Sequence, residues 1–303
     1  MDLLENKVPF TIFDYDKIQF SEKIGSGANS YVYKGKIDDK LIAIKEYDKD
    51  DWEDHDEFFE NLLYELDVAK KMEDSNYLMK TYGISIHDRN IYIIMEYLGK
   101  DDFYDFLQDK NLWQPCYKYN NIIIPEPENN YVIYNEETEI YWCFTMERNR
   151  KINISRMLIE SLIELHERCI IHGDIKSNNM ILQNEKVKLI DFGVSTIMDT
   201  NDTTSIERTY GTEGYMAPEQ YKYYIGYQSD IYSLGVTLIE IWTGEIWEGG
   251  EGFKKCRNEV LKCVRKIEQN EKKYGKIIRN CLMMDMSKRP TAKRLLKLYT
   301  ECF

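Results

Sequence analysis

The segment His172-Gly173-Asp174-Ile175-Lys176-Ser177-Asn178-Asn179 places a carboxylate, an ammonium and a carboxamide within a few residues of one another. Asp191-Phe192-Gly193 follows the strand-like run Val187–Ile190, and Gly211-Thr212-Glu213-Gly214-Tyr215-Met216-Ala217-Pro218-Glu219 comes next. Far upstream, Gly25-Ser26-Gly27-Ala28-Asn29-Ser30 interrupts two strand-like runs. Glycines of this kind let backbone amides approach phosphate oxygens. Alone the loop says little, because another G-x-G pair stands at Gly250 and Gly252. A dinucleotide-binding loop needs a helix directly after it, and here Tyr31-Val32-Tyr33 continues as a strand. The Gly-Lys-Ser/Thr of a Walker loop is absent. Lys45, closing the run Ile42-Ala43-Ile44-Lys45, reads by itself as a solvated strand-end lysine. Glu65, in a helical stretch, reads by itself as a surface glutamate. Chance does not produce all of these in one chain in this order.

The elements that must position these residues follow from periodicity. Residues 18–46 alternate as strands around the glycine turn. Phe58, Leu62, Leu63, Leu66 and Ala69 recur at helical spacing after the acidic run 48–60. Tyr82–Ile86 and Ile91–Tyr97 read as two strands joined by a turn. The remainder is mainly helical, over Ile154–Glu167, Ser229–Trp242, Cys256–Glu268, Lys273–Cys281 and Thr291–Tyr299. Ser229–Trp242 is apolar on most sides, as a buried central helix would be. Between them, residues 131–144 read as a β-hairpin inside an unusual segment, about 111–151.

Taken together the motifs resemble the eukaryotic-type protein kinases, in a Ser/Thr-specific form, from about Phe20 to about Leu298. The resemblance implies an α+β, bilobal fold and a single kinase domain over 1–303. A small β-rich N-lobe with one helix (about 18–97) would precede a larger helical C-lobe (about 98–303) carrying the insertion, with nucleotide in the cleft between. It implies transfer of the γ-phosphoryl group of ATP to protein hydroxyls, a reaction governed by positioning and charge neutralisation. Ile24 and the loop Gly25, Ser26, Gly27, Ala28, Asn29, Ser30 would cover the phosphates. Lys45 would contact the α- and β-phosphates, held by Glu65. Asn179 and Asp191 would ligate Mg²⁺ through oxygen. Asp174 would orient the acceptor hydroxyl and take its proton, and Lys176 would neutralise the γ-phosphate. Val32, Ala43 and Ile181 would sandwich the adenine, Met95 would back the pocket, and the backbone of Glu96–Leu98 would meet the adenine edge. Lys176 and Thr212 match the Ser/Thr pattern. His172 and Phe192 would pack, Asp230 would hold the catalytic-loop backbone, and Glu219 would pair with Arg289. A scaffold on the same fold and a small-molecule kinase are the rival readings. The first is opposed by the complete residue set, the second by the intact 211–219 segment.

One departure stands out: Gly173 occupies the place where most such kinases carry arginine, the residue that reads a phosphorylated loop. Activity is therefore expected to depend weakly on phosphorylation of Thr200, Thr203, Thr204, Ser205, Thr209 or Tyr210. The insertion makes its connection roughly thirty residues longer than compact packing needs, and reads as a tolerated surface insertion or a docking hairpin. The 303 residues carry a net charge of −13, which argues against a nucleic-acid backbone as ligand. The N-terminus lacks a signal-peptide pattern and no run is long enough for a membrane helix. Seven cysteines without C-x-x-C argue against a disulfide framework or zinc, and read as core residues of a reducing compartment. The expected partners are a protein substrate, basic if the acidic run attracts it, with no nucleic acid and no membrane. The expected form is a cytoplasmic monomer.

Overall fold

The computed structural model describes residues 8–26, 30–47, 55–88, 90–119, 122–124, 131–135, 140–198, 203–206, 210–246 and 252–303. The chain divides into two compact units. The first takes residues up to Lys100 together with Lys188–Ser195; the second takes Asp101–Val187 and Thr196–Phe303. The short stretch carrying Asp191 belongs with the N-terminal unit although it lies far along the chain.

The first unit is a six-stranded sheet with one helix. Its strands are β1 (Thr11–Ile12), β2 (Gln19–Ser26), β3 (Tyr31–Ile37), β4 (Lys40–Tyr47), β5 (Thr81–His87) and β6 (Asn90–Glu96), in the order β1-β5-β6-β4-β3-β2. Helix α1 (His55–Lys71) covers one face. Leu62 and Leu66 lie one turn apart, and both bury against Ala43, Ile84, Ile91, Ile93 and Met95. Lys70 and Lys71 close the last turn, where cations suit the helix dipole. Strand β1 has no counterpart in the sequence reading, since two residues give no period. It pairs in parallel with β5, Thr11 opposite Gly83. The partner must be glycine: a Cβ at position 83 would overlap Thr11 O and the Phe13 ring. Val8 and Phe10, just before β1, pack on the cluster that includes Leu62 and Leu66.

The second unit is built around α4 (Tyr227–Thr243), in which every residue from Ser229 to Thr243 is buried. Gly226 precedes it, its N–H donating to Ser229 Oγ at 3.1 Å, and Gly244 ends it at φ +71°. The other helices are α2 (Phe103–Leu107), α3 (Arg148–Glu167), α5 (Phe253–Asn270), α6 (Lys272–Cys281) and α7 (Ala292–Thr300). Thr291 caps α7 by accepting from Arg294 N at 3.3 Å. Short two-stranded sheets join β11 (Ile170–Ile171) to β14 (Thr196–Ile197), β12 (Met180–Gln183) to β13 (Lys186–Leu189), and β15 (Thr203–Ser205) to β16 (Tyr224–Gly226).

The insertion is more than a hairpin. Strands β7 (Trp113–Tyr119), β8 (Ile122–Ile124), β9 (Val132–Asn135) and β10 (Ile140–Phe144) form an antiparallel sheet in the order β8-β7-β10-β9. The hairpin read from the sequence is β9–β10. Strand β7 was hidden by Pro115, which argues against a central strand. Strand β8 pairs only with Tyr117–Tyr119, so Pro115 lies where β7 has β10 alone as neighbour.

The cysteine expectation is corrected here: Cys116 on β7 and Cys143 on β10 form a disulfide, both buried. Of the other five, Cys256, Cys263 and Cys281 are buried, Cys302 is partly buried and Cys169 is exposed. The sheet packs on the end of α4, where a Cβ on Gly244 would crowd the rings of Trp113 and Phe144. Lys151, from the first turn of α3, is fully buried there. Its Nζ donates to Trp242 O at 2.8 Å and lies 4.4 Å from the Phe144 ring centroid. Among the described residues no helix is long and apolar enough to cross a membrane.

Candidate active site

In the first unit, β4 and α1 bring two oppositely charged groups together. Lys45 Nζ donates to Glu65 Oε1 at 2.8 Å, and both side chains are largely buried. Lys45 lies inside β4, two residues before its end, and Glu65 lies on the helix covering that strand. Tyr47, two residues on and therefore on the same face of β4, donates its hydroxyl to Glu65 Oε2 at 2.6 Å. Glu65 is thus held by both oxygens. Burial lowers the Lys45 pKa, but Glu65, Tyr47 and Asp191 more than offset it and leave the ammonium well above its ordinary value. Burial, with Glu65 adding to it, raises the Tyr47 hydroxyl far above its usual range, so it stays a donor.

Asp191 Oδ1 lies 3.8 Å from Lys45 Nζ, and its side chain is 57% exposed. Its φ of +60° is uncommon for a residue with a Cβ. Such a conformation persists only where the surroundings impose it, and Gly193 N, 3.4 Å from Asp191 Oδ1, is one of the contacts that do. Ala43 sits opposite Met95 in the β4–β6 register; both are buried, and Val32 packs against their cluster. Leu98 is buried. The Glu96 N–H already donates to Lys80 O at 2.8 Å, so a purine edge would have to use other backbone groups of 96–98. The Glu96 carboxylate is paired with Lys188. Ile24 and Gly25 are partly buried on β2, Ser26 is exposed and Ser30 is buried, while Gly27, Ala28 and Asn29 lie outside the described residues.

In the second unit, Asp174 is pinned from three sides. Its Oδ1 accepts from Thr212 N at 2.8 Å, and its Oδ2 takes Lys176 Nζ at 2.9 Å and Asn179 Nδ2 at 3.0 Å. Lys176 Nζ also donates to Thr212 Oγ1. Asn179 Nδ2 donates further to Asp174 O at 2.8 Å, which leaves its Oδ1 as the atom able to face a cation. The loop owes its shape to Asp230 on α4. That buried carboxylate accepts from His172 N and Gly173 N, each at 2.9 Å, and lies 3.0 Å from His166 Nε2. Gly173 has φ +82°, where a side chain would be strained. His172 is fully buried, as a packing residue would be. Ile181, on β12, is partly buried. Asn178 Nδ2 reaches Asp102, the cap of α2, at 3.3 Å.

Further along, Arg289 donates to both oxygens of Glu219, at 2.6 and 2.9 Å, with no exposure of its own side chain. It also donates to Met283 O and Gln228 O, so the buried guanidinium is well satisfied. Thr203, Thr204 and Ser205 form β15 and pair with β16, whereas Thr200 and Thr209 lie outside the described residues.

The structure therefore gathers the expected residues into two groups: Lys45, Glu65 and Asp191 in one unit, and Asp174, Lys176, Asn179 and Thr212 in the other. Two participants escaped the sequence reading. Tyr47 carried a weak signal, a hydroxyl in register with Lys45. Gln220, which joins the loops at 173 and 210, carried none.

Relatives bear on the same residues. The chain is 27% identical, over 97% of its length, to a protein of Dictyostelium discoideum described as a "Probable serine/threonine-protein kinase". It is 30% identical over 91% of its length to another serine/threonine-protein kinase of that organism, and 29% identical over 94% to a cysteine-rich receptor-like protein kinase of Arabidopsis thaliana. It spans only 29%, 22% and 43% of the lengths of those three proteins. The family model described as protein kinase domain matches residues 18–299. Nearly the whole chain, both residue groups included, lies inside that match, and the chain belongs to the protein kinase domain family.

Proposed function

We propose that this chain is an ATP-dependent protein serine/threonine kinase, transferring the γ-phosphoryl group of Mg-ATP to protein hydroxyls. The observation that carries the reading is the fixation of Asp174. A carboxylate bonded to the Thr212 amide through one oxygen, and to Lys176 and Asn179 through the other, is oriented before any substrate arrives. Asp174 orients the acceptor hydroxyl and takes its proton as the bond to phosphorus forms. Lys176, already against Asp174 and Thr212, neutralises charge on the transferring group. Lys45, kept cationic and held by Glu65 and Tyr47, contacts the α- and β-phosphates. Ile24, the loop 25–30, Val32 and Ala43, with Met95 and the backbone of 96–98, are the nucleotide-binding residues of the first unit, and Ile181 is that of the second.

Asp191 in the first unit and the Oδ1 of Asn179 in the second are each hard oxygen donors, of the kind that suits Mg²⁺. When bound, the ion supplies charge neutralisation at the phosphate oxygens. The acidic run at 48–60, whose first part lies outside the described residues, and the net charge of −13 favour a basic protein substrate. The reading extends to a monomer acting without a membrane or nucleic acid in the cytoplasm, though the Cys116–Cys143 bond stands against the cytoplasmic part of it.

The test is incubation of the purified chain with radiolabelled ATP, Mg²⁺ and a generic basic protein, beside Asp174→Asn, followed by phosphoamino-acid analysis. Label on Ser and Thr that is lost by at least a hundredfold in the variant is the expected result. Label on small molecules alone, or ATP binding with no transfer, would replace the reading with a small-molecule kinase or a scaffold.

A further inference from the structure

The Gln220 side chain is 1% exposed and joins three separate stretches of backbone. Its Nε2 donates to Gly173 O at 3.2 Å and to Tyr210 O at 3.1 Å, and its Oε1 accepts from Ala217 N at 2.7 Å. Gly173 directly precedes Asp174, and Tyr210 lies two residues before Thr212. One carboxamide therefore ties together the two backbones whose next groups, Asp174 Oδ1 and Thr212 N, bond to each other at 2.8 Å.

The junction is shaped around this amide. Gly211 has φ +110°, and a Cβ there would come to 3.0 Å from Gly173 O and 3.1 Å from Gln220 Nε2. Gly173 is fixed from its other side as well, its N–H donating to Asp230. These three bonds join neutral groups, so none of them needs a phosphate or a titrating group. A buried donor or acceptor left without its partner is costly, which gives the junction a strong preference for this one arrangement. Meanwhile β15 pairs with β16 through the backbone.

We propose that Gln220 is a positioning residue for phosphoryl transfer, a neutral latch that keeps Asp174 and Thr212 joined without phosphate on Thr203, Thr204 or Ser205. The proposal rests on the reading of Asp174 as the group that orients the acceptor. It locates the order of the segment in an amide, where the sequence showed only an absent arginine at position 173.

The experiment uses the full chain, treated with phosphatase and verified unphosphorylated by mass, beside Gln220→Glu and Gln220→Met. Glu keeps the volume and the bond from Ala217 N but removes both donors; Met keeps the volume and removes all three bonds. Each protein is measured for melting temperature, for kcat and the KM for ATP with a basic Ser/Thr peptide, and for amide hydrogen exchange over 210–217. The dephosphorylated wild type is expected to keep at least half of its activity. The variants are expected to lose about tenfold or more in kcat, with the KM for ATP within about twofold, and to exchange at Thr212 about tenfold faster, as a lost buried hydrogen bond implies. A wild type silenced by phosphatase, or variants with unchanged kcat and exchange, would overturn the latch. So would a fall in kcat accompanied by an equal rise in the KM for ATP and a collapsed melting transition in both variants, because that is general unfolding. If the wild type transfers no phosphate at all, the kinase reading fails, and exchange at Thr212 alone decides the latch.

Discussion

Glu65 serves two donors, and that arithmetic makes a prediction at the scale of one atom. Tyr47→Phe removes the hydroxyl but keeps the ring against Phe58, 5.5 Å between centroids. Losing one partly buried hydrogen bond to a carboxylate costs about 1.5–3 kcal/mol. Steady-state kinetics should show kcat/KM down by about tenfold or more, and the melting temperature should fall by about two to five degrees. Glu65→Gln, which takes the charge from Lys45 as well, should lose more. Lys151 makes the opposite case, an ammonium buried without a carboxylate partner among the described residues. Burial lowers its pKa to about 7, below the roughly 10.4 of an unfolded lysine. Between those values the unfolded chain binds more protons, so stability rises with pH from about 7 to about 10, by up to about 1.4 kcal/mol per unit. Lys45 does not cancel this: its folded pKa is raised, so its contribution stays intact below about 10.4 and is lost only at higher pH. Lys151→Met should raise stability at pH 7 and flatten the slope in denaturant melts at pH 7 and 9.

At the scale of elements, the insertion sheet and strand β1 are the parts that periodicity did not reveal in full. Residues 131–144 give two short apolar runs, 131–134 and 140–144, around the polar stretch 135–139, so the β9–β10 hairpin was legible. Strand β7 carries a proline and β8 has three residues, and neither shows as a strand without its neighbour. The Cys116–Cys143 bond was equally hidden, because an odd count without C-x-x-C gives no pairing. The bond closes a sequence separation of 27 residues, a loop for which chain entropy predicts about 3–4 kcal/mol. The Cys116→Ser, Cys143→Ser double variant should lower the melting temperature by several degrees, and thiol labelling of the unfolded wild type should find two fewer free thiols without reductant than with it. Strand β1 depends on the bare backbone at Gly83. Gly83→Val should expel it, costing about 1–3 kcal/mol, with faster amide exchange over residues 11–13 as the measured sign.

At the scale of the molecule, the two units draw on distant parts of the chain. The segment 188–195 returns to the N-terminal unit, where Met79 N and Leu189 N make backbone bonds across the Leu78–Leu189 bridge. The second unit is tied by a long-range pair, Glu219 with Arg289. Glu219→Gln would leave a buried guanidinium without its countercharge, at about 3–5 kcal/mol. Calorimetry should show the melting transition of the second unit lowered by about ten degrees.

The protein's own sequence determined the class of chemistry, because those residues act through local backbone: a carboxylate, a lysine and an amide within one loop keep their relation wherever the loop sits. It determined most helices for the same reason, since a helix reports its buried face in its own period, and α4 by being apolar on most sides. Only the tertiary structure decided which groups share a partner. Tyr47 joins Lys45 on Glu65, Gln220 bridges residues 173, 210 and 217, Lys151 is sealed under the insertion sheet, and β1 finds Gly83. Each of those relations depends on residues far apart in sequence meeting across a packed surface. A linear pattern holds no record of such a meeting until the chain has closed around it.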